Sequence, residues 1–157
     1  MGVRKGELRE GDPAPEFELE TDAGGRLRLS ELRGRTVVLY FYPRAGTPGC
    51  TAEACEFRDA TAELKGKGAI VLGVSPDTPE AQARFKARYH LPFTLLADPE
   101  KQAARAYGVW KEKQQYGRKV MGIERTTFVI GPDGTIQRIF RKVRPRGHAV
   151  RVVEALG

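Results

Sequence analysis

The sequence predicts an α/β protein with a central mixed β-sheet and helices on both faces. The first observation is a strand–helix–strand unit, in which two continuous apolar runs, Thr36–Tyr42 and Ala69–Ser75, flank a helical pattern over Pro48–Leu64. Such a unit joins two parallel strands through a crossover helix. The other two observations are turn signals between alternating strands, at Asp22–Gly25 and at Gly131–Gly134, which predict two antiparallel hairpins.

The remaining elements follow in order along the chain. Apolar residues alternate at Phe17 and Leu19 and again at Leu27 and Leu29, as in two paired strands with one buried face. The other predicted elements are helices over Pro79–Tyr89 and Pro99–Tyr107, strands over Thr94–Ala97, Thr126–Ile130 and Thr135–Phe140, and a closing helix through Val150, Val153 and Leu156. Residues Trp110–Glu124 show little pattern and much charge, so we expect a long loop there.

The composition is that of a compact protein, and we expect one domain over residues 1–157. Of the 157 residues, 40% are apolar and 30% are charged, which separates the chain from disordered proteins. The longest apolar stretch, Val37–Pro43, is too short to cross a membrane. The first residues lack the apolar core of a secretion signal. We therefore expect a cytoplasmic protein that does not associate with membranes.

The net charge of +7, from 27 Lys and Arg against 20 Asp and Glu, raises the question of nucleic-acid binding. Acidic and basic residues are interleaved along the chain. The densest basic stretch, Arg138–Arg146, is short, contains a proline and is not accompanied by a nucleic-acid-binding motif. We therefore expect a solvated surface that keeps copies of the chain apart, and no nucleic-acid partner.

The two cysteines, Cys50 and Cys55, lie five residues apart near the start of the first long helix. In a reducing cytosol, cysteines at close spacing are metal ligands, redox groups or inert core residues. A zinc site needs four ligands, and the two histidines, His90 and His148, lack the spacing of a ligand pair, so we expect no metal. An inert buried thiol suits Cys55 better than Cys50, because Cys50 lies where the helix begins.

The start of this helix favours a reactive sulfur at Cys50. Thr47 is a good N-cap residue and Pro48 suits the first helical position, which makes Cys50 the third helical residue. A sulfur at that position faces unpaired backbone N–H groups and the positive end of the helix dipole. Both stabilise the thiolate over the thiol, so Cys50 is the candidate nucleophile.

The spacing of the cysteines predicts a conformational change if they are redox partners. Five residues along an α-helix separate two Cα atoms by roughly 8.6 Å. A disulfide needs Cα atoms closer than about 7 Å. Cys50 and Cys55 therefore cannot bond while the helix is intact, and its first turns would have to unwind in each cycle.

Topology suggests which cation lies near the sulfur. The strand Thr36–Tyr42 delivers the chain to Cys50 at its C-terminal end. If the strand Thr126–Ile130 pairs with it in antiparallel fashion, Arg125 arrives at the same sheet edge and faces Cys50. The alternative is an ordinary surface arginine, since the chain contains 18 arginines.

The residues that lead into this helix resemble a known family. Pro43-Arg44-Ala45-Gly46-Thr47-Pro48-Gly49-Cys50 is similar to the Pro-x-x-x-Thr-x-x-Cys signature of peroxiredoxins. The extension Thr51–Asp59, with Cys55, resembles the subfamily called bacterioferritin comigratory protein or peroxiredoxin Q. The similarity runs from Gly11–Pro15 through Glu124–Phe128 to His148, and only the variable positions Arg44–Gly46 depart from the residues often found there.

The resemblance implies a thioredoxin-like fold with an added N-terminal hairpin. It also implies a thiol-dependent peroxidase without a cofactor, which acts on hydrogen peroxide and organic hydroperoxides. In such an enzyme Cys50 is the peroxidatic nucleophile and Cys55 the resolving cysteine, and the disulfide between them is reduced by thioredoxin or another dithiol. The subfamily resemblance favours a monomer.

The same resemblance implies roles for four other residues. The Thr47 hydroxyl binds the thiolate and the incoming peroxide, and Pro43 shields the sulfur from water. Arg125 holds the thiolate and polarises the O–O bond, since its guanidinium can serve two partners at once. Glu53 orients Arg125. The two histidines receive no role.

Two other functions remain open on the sequence. Thiol–disulfide oxidoreductases of the thioredoxin type use Cys-x-x-Cys, whereas four residues separate Cys50 from Cys55 here. Nor does a proline open the strand Thr126–Ile130, where those proteins place a cis-proline. Insulin reduction without peroxide consumption would favour that class. A non-enzymatic binding module with two buried thiols would instead show slow, unselective alkylation of both cysteines.

Overall fold

A seven-stranded mixed sheet organises the fold in the computed structural model, which describes residues 7–156. The strands are β1 (Glu18–Thr21), β2 (Arg26–Arg28), β3 (Thr36–Phe41), β4 (Ala69–Ser75), β5 (Thr94–Ala97), β6 (Trp110–Gln115), β7 (Arg118–Ile123), β8 (Thr126–Ile130) and β9 (Ile136–Phe140). The helices are α1 (Pro48–Gly66), α2 (Pro79–Tyr89), α3 (Gln102–Ala106) and α4 (His148–Ala155), with a 3-10 turn at Leu29–Leu32. The strand order in the main sheet is β2-β1-β5-β4-β3-β8-β9, and β6 pairs with β7 separately.

Strand β3 lies between its two predicted neighbours. It runs parallel to β4, with Thr36 opposite Ala69, and the connection between them is α1. It runs antiparallel to β8, with Phe41 opposite Thr126. Because helices or loops cover both faces of these strands, each can be apolar throughout rather than alternating. The predicted crossover unit is therefore confirmed.

Helices cover both faces of the sheet, and each face has its own core. On one face α1, α2 and α4 pack against β3 and β4, through side chains such as Phe57, Phe85 and Val152. On the other face α3 and the 3-10 turn pack against the sheet, through side chains such as Ala104 and Leu29. This arrangement confirms the predicted fold class.

Both predicted hairpins are present. Strands β1 and β2 pair with Leu19 opposite Leu27, and β1 joins the sheet edge beside β5 through the pair Glu20 and Ala97. Strands β8 and β9 are connected by the Gly131–Gly134 turn. The first hairpin extends the sheet beyond β5, as expected for an N-terminal addition.

The helices match the predicted ones except for α3, which begins later than expected. The predicted helix Pro99–Tyr107 shortens to Gln102–Ala106 because Lys101 adopts a left-handed backbone conformation with φ 57°. The Asp98 carboxylate accepts hydrogen bonds from the N–H groups of Ala103 and Ala104, at 3.3 and 2.9 Å, and so satisfies the first turn. Across residues 7–156, every helix is too short or too polar to cross a membrane.

The loop expected over Trp110–Glu124 was wrong, because β6 and β7 form a hairpin there. A two-residue turn at Tyr116 and Gly117, with φ values of 52° and 75°, connects them. Positive φ at both turn residues matches the right-handed twist of paired strands. The strands escaped prediction because both faces of β6 are polar and mostly exposed, so no apolar alternation marks them.

Candidate active site

Strand pairing brings Arg125 and Cys50 to the same edge of the sheet. Strand β3 ends at Phe41, and the chain then passes through Pro43 to the start of α1. Strand β8 begins at Thr126, directly opposite Phe41, so Arg125 lies at this edge. The Arg125 Nη2 atom donates a hydrogen bond to the Cys50 Sγ atom at 3.4 Å. The structure thus places Arg125 beside the sulfur, as the topology predicts.

The beginning of α1 has the predicted arrangement of residues but not all of the predicted contacts. Thr47 occupies the N-cap position with an extended backbone, Pro48 is the first helical residue, and Cys50 is the third. The Thr47 hydroxyl donates to the carbonyl of Arg44 at 2.9 Å. Within the described part of the chain, it bonds neither the helix N–H groups nor Cys50. The expected bond from Thr47 to the sulfur is therefore absent from this conformation.

Glu53 holds Arg125 from the other side. It lies on α1 one turn after Cys50, and its Oε1 atom accepts a hydrogen bond from Arg125 Nη1 at 2.7 Å. The side chain of Glu53 is 1% exposed and that of Arg125 is 16% exposed. Because the guanidinium is planar, a bond at Nη1 sets the direction in which Nη2 points. The carboxylate is placed to orient Arg125 toward the sulfur.

Burial and charge set the protonation of this pair. Burial alone would lower the pKa of Arg125, but the Glu53 carboxylate and the Cys50 sulfur outweigh it and raise the pKa, so the guanidinium stays charged. Burial raises the pKa of Glu53 from 4.5 to about 7, although Arg125 opposes the shift. The Oε2 atom of Glu53 is buried and has no hydrogen-bond partner within residues 7–156. Glu53 is thus a carboxyl group that titrates close to neutral pH.

Buried aromatic side chains pack in the same part of the core as the Cys50 sulfur. Cys50 is 1% exposed and belongs to the same core cluster as Tyr40 and Tyr42. The Tyr40 ring stacks on Phe57 with ring centroids 4.7 Å apart. The Tyr42 hydroxyl donates to Gln82 Oε1 at 2.5 Å. Burial raises the pKa of both tyrosines well above the ordinary value, so both phenols remain neutral beneath the site.

Cys55 lies on the same helix as Cys50, and the two are not bonded. Both thiols are free, and Cys55 is half-buried whereas Cys50 is buried. Helix α1 is continuous from Pro48 to Gly66. The structure therefore represents the reduced protein with an intact helix, in which the two cysteines cannot reach each other.

A cleft opens beside Pro43, the residue expected to shield the sulfur. Pro43 is half-buried and forms one wall of this cleft, whose volume is about 520 Å³. The opposite wall comes from the β6–β7 hairpin. The cleft is lined by apolar side chains, among them Pro76, Trp110, Met121 and Ile123, and by polar ones, namely Lys101, Lys113, Gln114 and Gln115.

A loop that the sequence did not predict, which carries Val143 and Pro145, packs against the start of α1. A Cβ atom added to Gly49 would lie 3.3 Å from Pro145 Cγ and 3.4 Å from Arg125 Nη2. The N–H group of Val143, in the same loop as Pro145, donates to the Arg125 carbonyl at 3.0 Å. The sequence carries one sign of this close packing. Gly49 lies directly before Cys50 in a helical turn, where glycine is otherwise unfavourable.

His148 lies near the site without contacting the sulfur. It is 3% exposed, and its Nε2 atom is 2.7 Å from the Thr127 hydroxyl, which ties α4 to β8. Burial, with Arg151 and Arg125 adding to it, lowers the pKa of His148 from 6.5 to about 4. The other histidine, His90, ends α2 with a φ of 54°. The buried and hydrogen-bonded position of His148 is that of a structural residue.

Comparisons with known proteins agree with this geometry. The AhpC/TSA family matches residues 10–139. The chain is 44% identical to peroxiredoxin Bcp of Bacillus subtilis over 146 residues, which covers 93% of both chains. A cysteine-to-serine mutant of PrxQ from Xylella fastidiosa superimposes with a TM-score of 0.91 at 34% identity, covering 99% of this chain and 97% of that one.

A second solved structure bears on chemistry. It concerns the alkyl peroxide reduction activity of the bacterioferritin comigratory protein of Xanthomonas campestris, and it superimposes with a TM-score of 0.86 at 38% identity over 89% of both chains. These relatives are peroxidases rather than thiol–disulfide oxidoreductases of the thioredoxin type. The chain therefore belongs to the AhpC/TSA family and is a thioredoxin-fold peroxiredoxin of the Bcp or Q type, a thiol peroxidase.

Proposed function

We propose that the protein reduces hydrogen peroxide and organic hydroperoxides, with Cys50 as the peroxidatic nucleophile. The observation that carries this proposal is the 3.4 Å contact between Arg125 Nη2 and Cys50 Sγ at the beginning of α1. A guanidinium and a helix N-terminus both stabilise negative charge on sulfur, and the thiolate is the nucleophilic form.

In the first step the Cys50 thiolate attacks the terminal oxygen of the peroxide. An S–O bond forms, the O–O bond breaks, and the departing alkoxide takes a proton and leaves as an alcohol, or as water from hydrogen peroxide. Arg125 offers its donors to the sulfur and to the departing oxygen, while Glu53 fixes its orientation. Thr47 is proposed to turn its hydroxyl from Arg44 to the sulfur or the peroxide.

The cleft beside Pro43 supports organic hydroperoxides as substrates. Its volume of about 520 Å³ exceeds what hydrogen peroxide needs, and apolar side chains such as Trp110, Met121 and Ile123 form part of its walls. An alkyl or aryl group bound between Pro43 and Met121 would leave water, and its peroxide end is proposed to reach Cys50 past Pro43. Pro43 itself is proposed to limit access of water to Cys50.

In the second step Cys55 is proposed to resolve the oxidised sulfur. The Cys50 sulfenic acid and the Cys55 thiol condense to a disulfide and release water. The first turns of α1 must unwind for this, because the intact helix holds the two Cα atoms roughly 8.6 Å apart. The half-buried position of Cys55 allows it to become accessible with a limited opening of the helix.

A dithiol, proposed to be thioredoxin or a similar protein, returns the enzyme to its reduced state. Two thiol–disulfide exchanges transfer the disulfide to the reductant and restore both thiols. Overall, one peroxide and one dithiol give one alcohol, one water and one disulfide. We place this cycle in the cytoplasm, in a monomer with one domain over residues 1–157, with no cofactor and no nucleic-acid partner.

Peroxide consumption by cysteine variants tests the assignment. With a thioredoxin system and either hydrogen peroxide or cumene hydroperoxide, we expect Cys50→Ser to abolish consumption. We expect Cys55→Ala to complete the first oxidation at the normal rate and then stop, with a sulfenic acid on Cys50 that mass spectrometry detects. Retained activity in Cys50→Ser would show that Cys50 is not the nucleophile. Normal turnover in Cys55→Ala would show that Cys55 is not the resolving cysteine.

A further inference from the structure

Glu53 lies between the two cysteines in the chain and against Arg125 in space. Its Oε1 atom holds Arg125, while its Oε2 atom is buried and unpartnered within the described range. A buried carboxylate oxygen without a partner is costly when it is charged, and protonation lowers that cost. This oxygen is thus a place where the intact helix binds a proton.

Disulfide formation must displace Glu53. Cys50 and Cys55 enclose residues 51–54, and these residues cannot keep helical geometry when the two sulfurs bond. Glu53 is carried by this segment, so unwinding moves its carboxyl group from the core toward water. In water the carboxyl group is ionised at neutral pH.

From this geometry we propose that Glu53 couples the unwinding of α1 to the release of a proton. Once Cys50 is oxidised or replaced by serine, lower pH then favours the folded helix and higher pH favours the unwound form. The consequence for the reaction cycle rests on the proposed function, but the coupling itself depends only on Glu53 and the helix.

The direction of the pH dependence of unwinding follows from which form of the helix binds the proton. Burial raises the pKa of Glu53 from 4.5 to about 7 in the folded helix, and exposure returns it toward the ordinary value. Between these two values the folded form holds a proton that the unwound form has lost. The equilibrium constant for unwinding therefore rises with pH in this window, by up to about tenfold per pH unit.

The groups around Glu53 leave this sign unchanged. Arg125 faces it from the start of β8 and favours the ionised form, but burial outweighs this attraction. Glu56, on the same helix, disfavours the ionised form. Tyr40, beneath it on β3, stays neutral. His148, on α4, is held neutral by its burial, so any opening that exposed it would be favoured by acid, which is the opposite direction.

The coupling affects whether the Cys50 sulfenic acid is resolved by Cys55 or oxidised further by a second peroxide. While α1 stays folded, the Cys50 sulfenic acid cannot meet Cys55 and remains beside Arg125. A second peroxide can then transfer an oxygen atom to it, which gives a sulfinic acid and an alcohol. Acid pH should therefore raise the fraction of Cys50 lost to sulfinic acid per turnover, and mildly alkaline pH should lower it.

Hydrogen exchange in a variant without cysteines tests the coupling apart from any peroxidase activity. In Cys50→Ser/Cys55→Ser, we would measure exchange of the amides of residues 51–55 from about pH 5 to about pH 7.5, corrected for the intrinsic exchange rate. With Glu53 present, we expect the opening constant to rise by about tenfold or more across this range. With Glu53→Gln added, which keeps an acceptor for Arg125 but cannot titrate, we expect a flat profile.

Glu56→Gln in the same background is the matched control, because Glu56 is a half-buried acid on the same helix that accepts a bond from the Gly147 N–H at 2.8 Å. It should keep the pH dependence, and the amides of α2 should not show it. A flat profile with Glu53 present, or the same slope in Glu53→Gln, would overturn the proposal.

In the enzyme with both cysteines, we expect sulfinic acid to increase at low pH only when Glu53 is present. Failure of that result alone would count against the proposed disulfide cycle and not against the coupling.

Discussion

At the scale of single residues, Arg125 connects the two groups that matter most in the site. One guanidinium nitrogen donates to Glu53 at 2.7 Å and another to Cys50 at 3.4 Å. Both partners are almost fully buried, so water cannot replace the guanidinium as a donor. Loss of Arg125 would leave a buried carboxyl group and a buried sulfur without their shared cation.

We expect Arg125→Met to slow the oxidation of Cys50 by about 10² to 10³-fold, because a preorganised donor to the departing oxygen is lost. Alkylation of Cys50 at a fixed pH should also slow, because the guanidinium no longer stabilises the thiolate. Arg125→Lys should recover only part of the rate, since it restores the charge but not the planar fork. Single-turnover oxidation rates measure both effects, and an unchanged rate in Arg125→Met would mean that another cation serves.

Gly49 makes a second test of the same geometry. We expect Gly49→Ala to slow Cys50 oxidation without destabilising the fold, because its Cβ atom would lie 3.3 Å from Pro145 Cγ and shift the loop that packs beside Arg125, while alanine favours the helix by up to about 1 kcal/mol. Gly66→Ala is the matched control, since it lies on the same helix with open space around its Cβ position. Equal oxidation rates in the two variants would show that the loop moves aside.

At the scale of elements, helix α1 carries both cysteines and also Glu53. Its first turns therefore have to meet two opposing requirements. The folded helix builds the pocket around Cys50, and the unwound helix allows the proposed disulfide. A helix that is too stable would keep Cys50 reactive but slow its resolution.

Thr51, next to Cys50, offers a test of this balance. Its hydroxyl is buried and has no partner within residues 7–156. We expect Thr51→Ala to stabilise the first turns, because it removes this hydroxyl and raises the helix propensity by about 0.5 kcal/mol. Disulfide formation should slow a few-fold, while the first oxidation keeps its rate.

Rapid quenching and mass spectrometry would follow the two steps of this test. Thr61→Ala makes the same change beyond the unwinding segment, where the hydroxyl donates to the Phe57 carbonyl at 2.8 Å, and it should leave disulfide formation unaffected. A faster disulfide step in Thr51→Ala would contradict the expectation.

At the scale of the whole molecule, two buried groups give stability opposite pH dependences. His148 has a folded-state pKa of about 4 against 6.5 when unfolded, so its contribution is full above pH 6.5 and is lost as pH falls toward 4. Glu53 has a folded-state pKa of about 7 against 4.5, so its contribution increases as pH falls through the same region. The two effects partly cancel.

Separate variants should reveal both slopes. With Glu53→Gln, we expect the free energy of unfolding to fall as the pH is lowered from about 6.5 to about 4.5, by up to about 1.4 kcal/mol per pH unit. With His148→Gln, which can still pair with Thr127, it should rise over the same interval. Urea denaturation at several pH values measures these slopes. Identical profiles in the two variants would show that neither group governs acid stability.

The local features of the site were predictable from the sequence because they depend on neighbours in the chain. A threonine and a proline before Cys50 place the sulfur at the start of α1. The five-residue spacing alone keeps Cys50 and Cys55 apart in an intact helix. The apolar runs that form β3 and β4 also predicted the sheet, because short runs rich in β-branched and aromatic residues are typical of strands covered on both faces.

Only the tertiary structure decided the features that depend on residues far apart in the chain. Arg125 reaches Cys50 because β8 pairs with β3, and topology could suggest but not establish that pairing. The buried, unpartnered oxygen of Glu53 and the loop carrying Pro145 arise from packing, which leaves no local pattern. Strand β6 is almost entirely polar and shows no hydrophobic alternation, so its pairing with β7 follows from a turn and backbone hydrogen bonds.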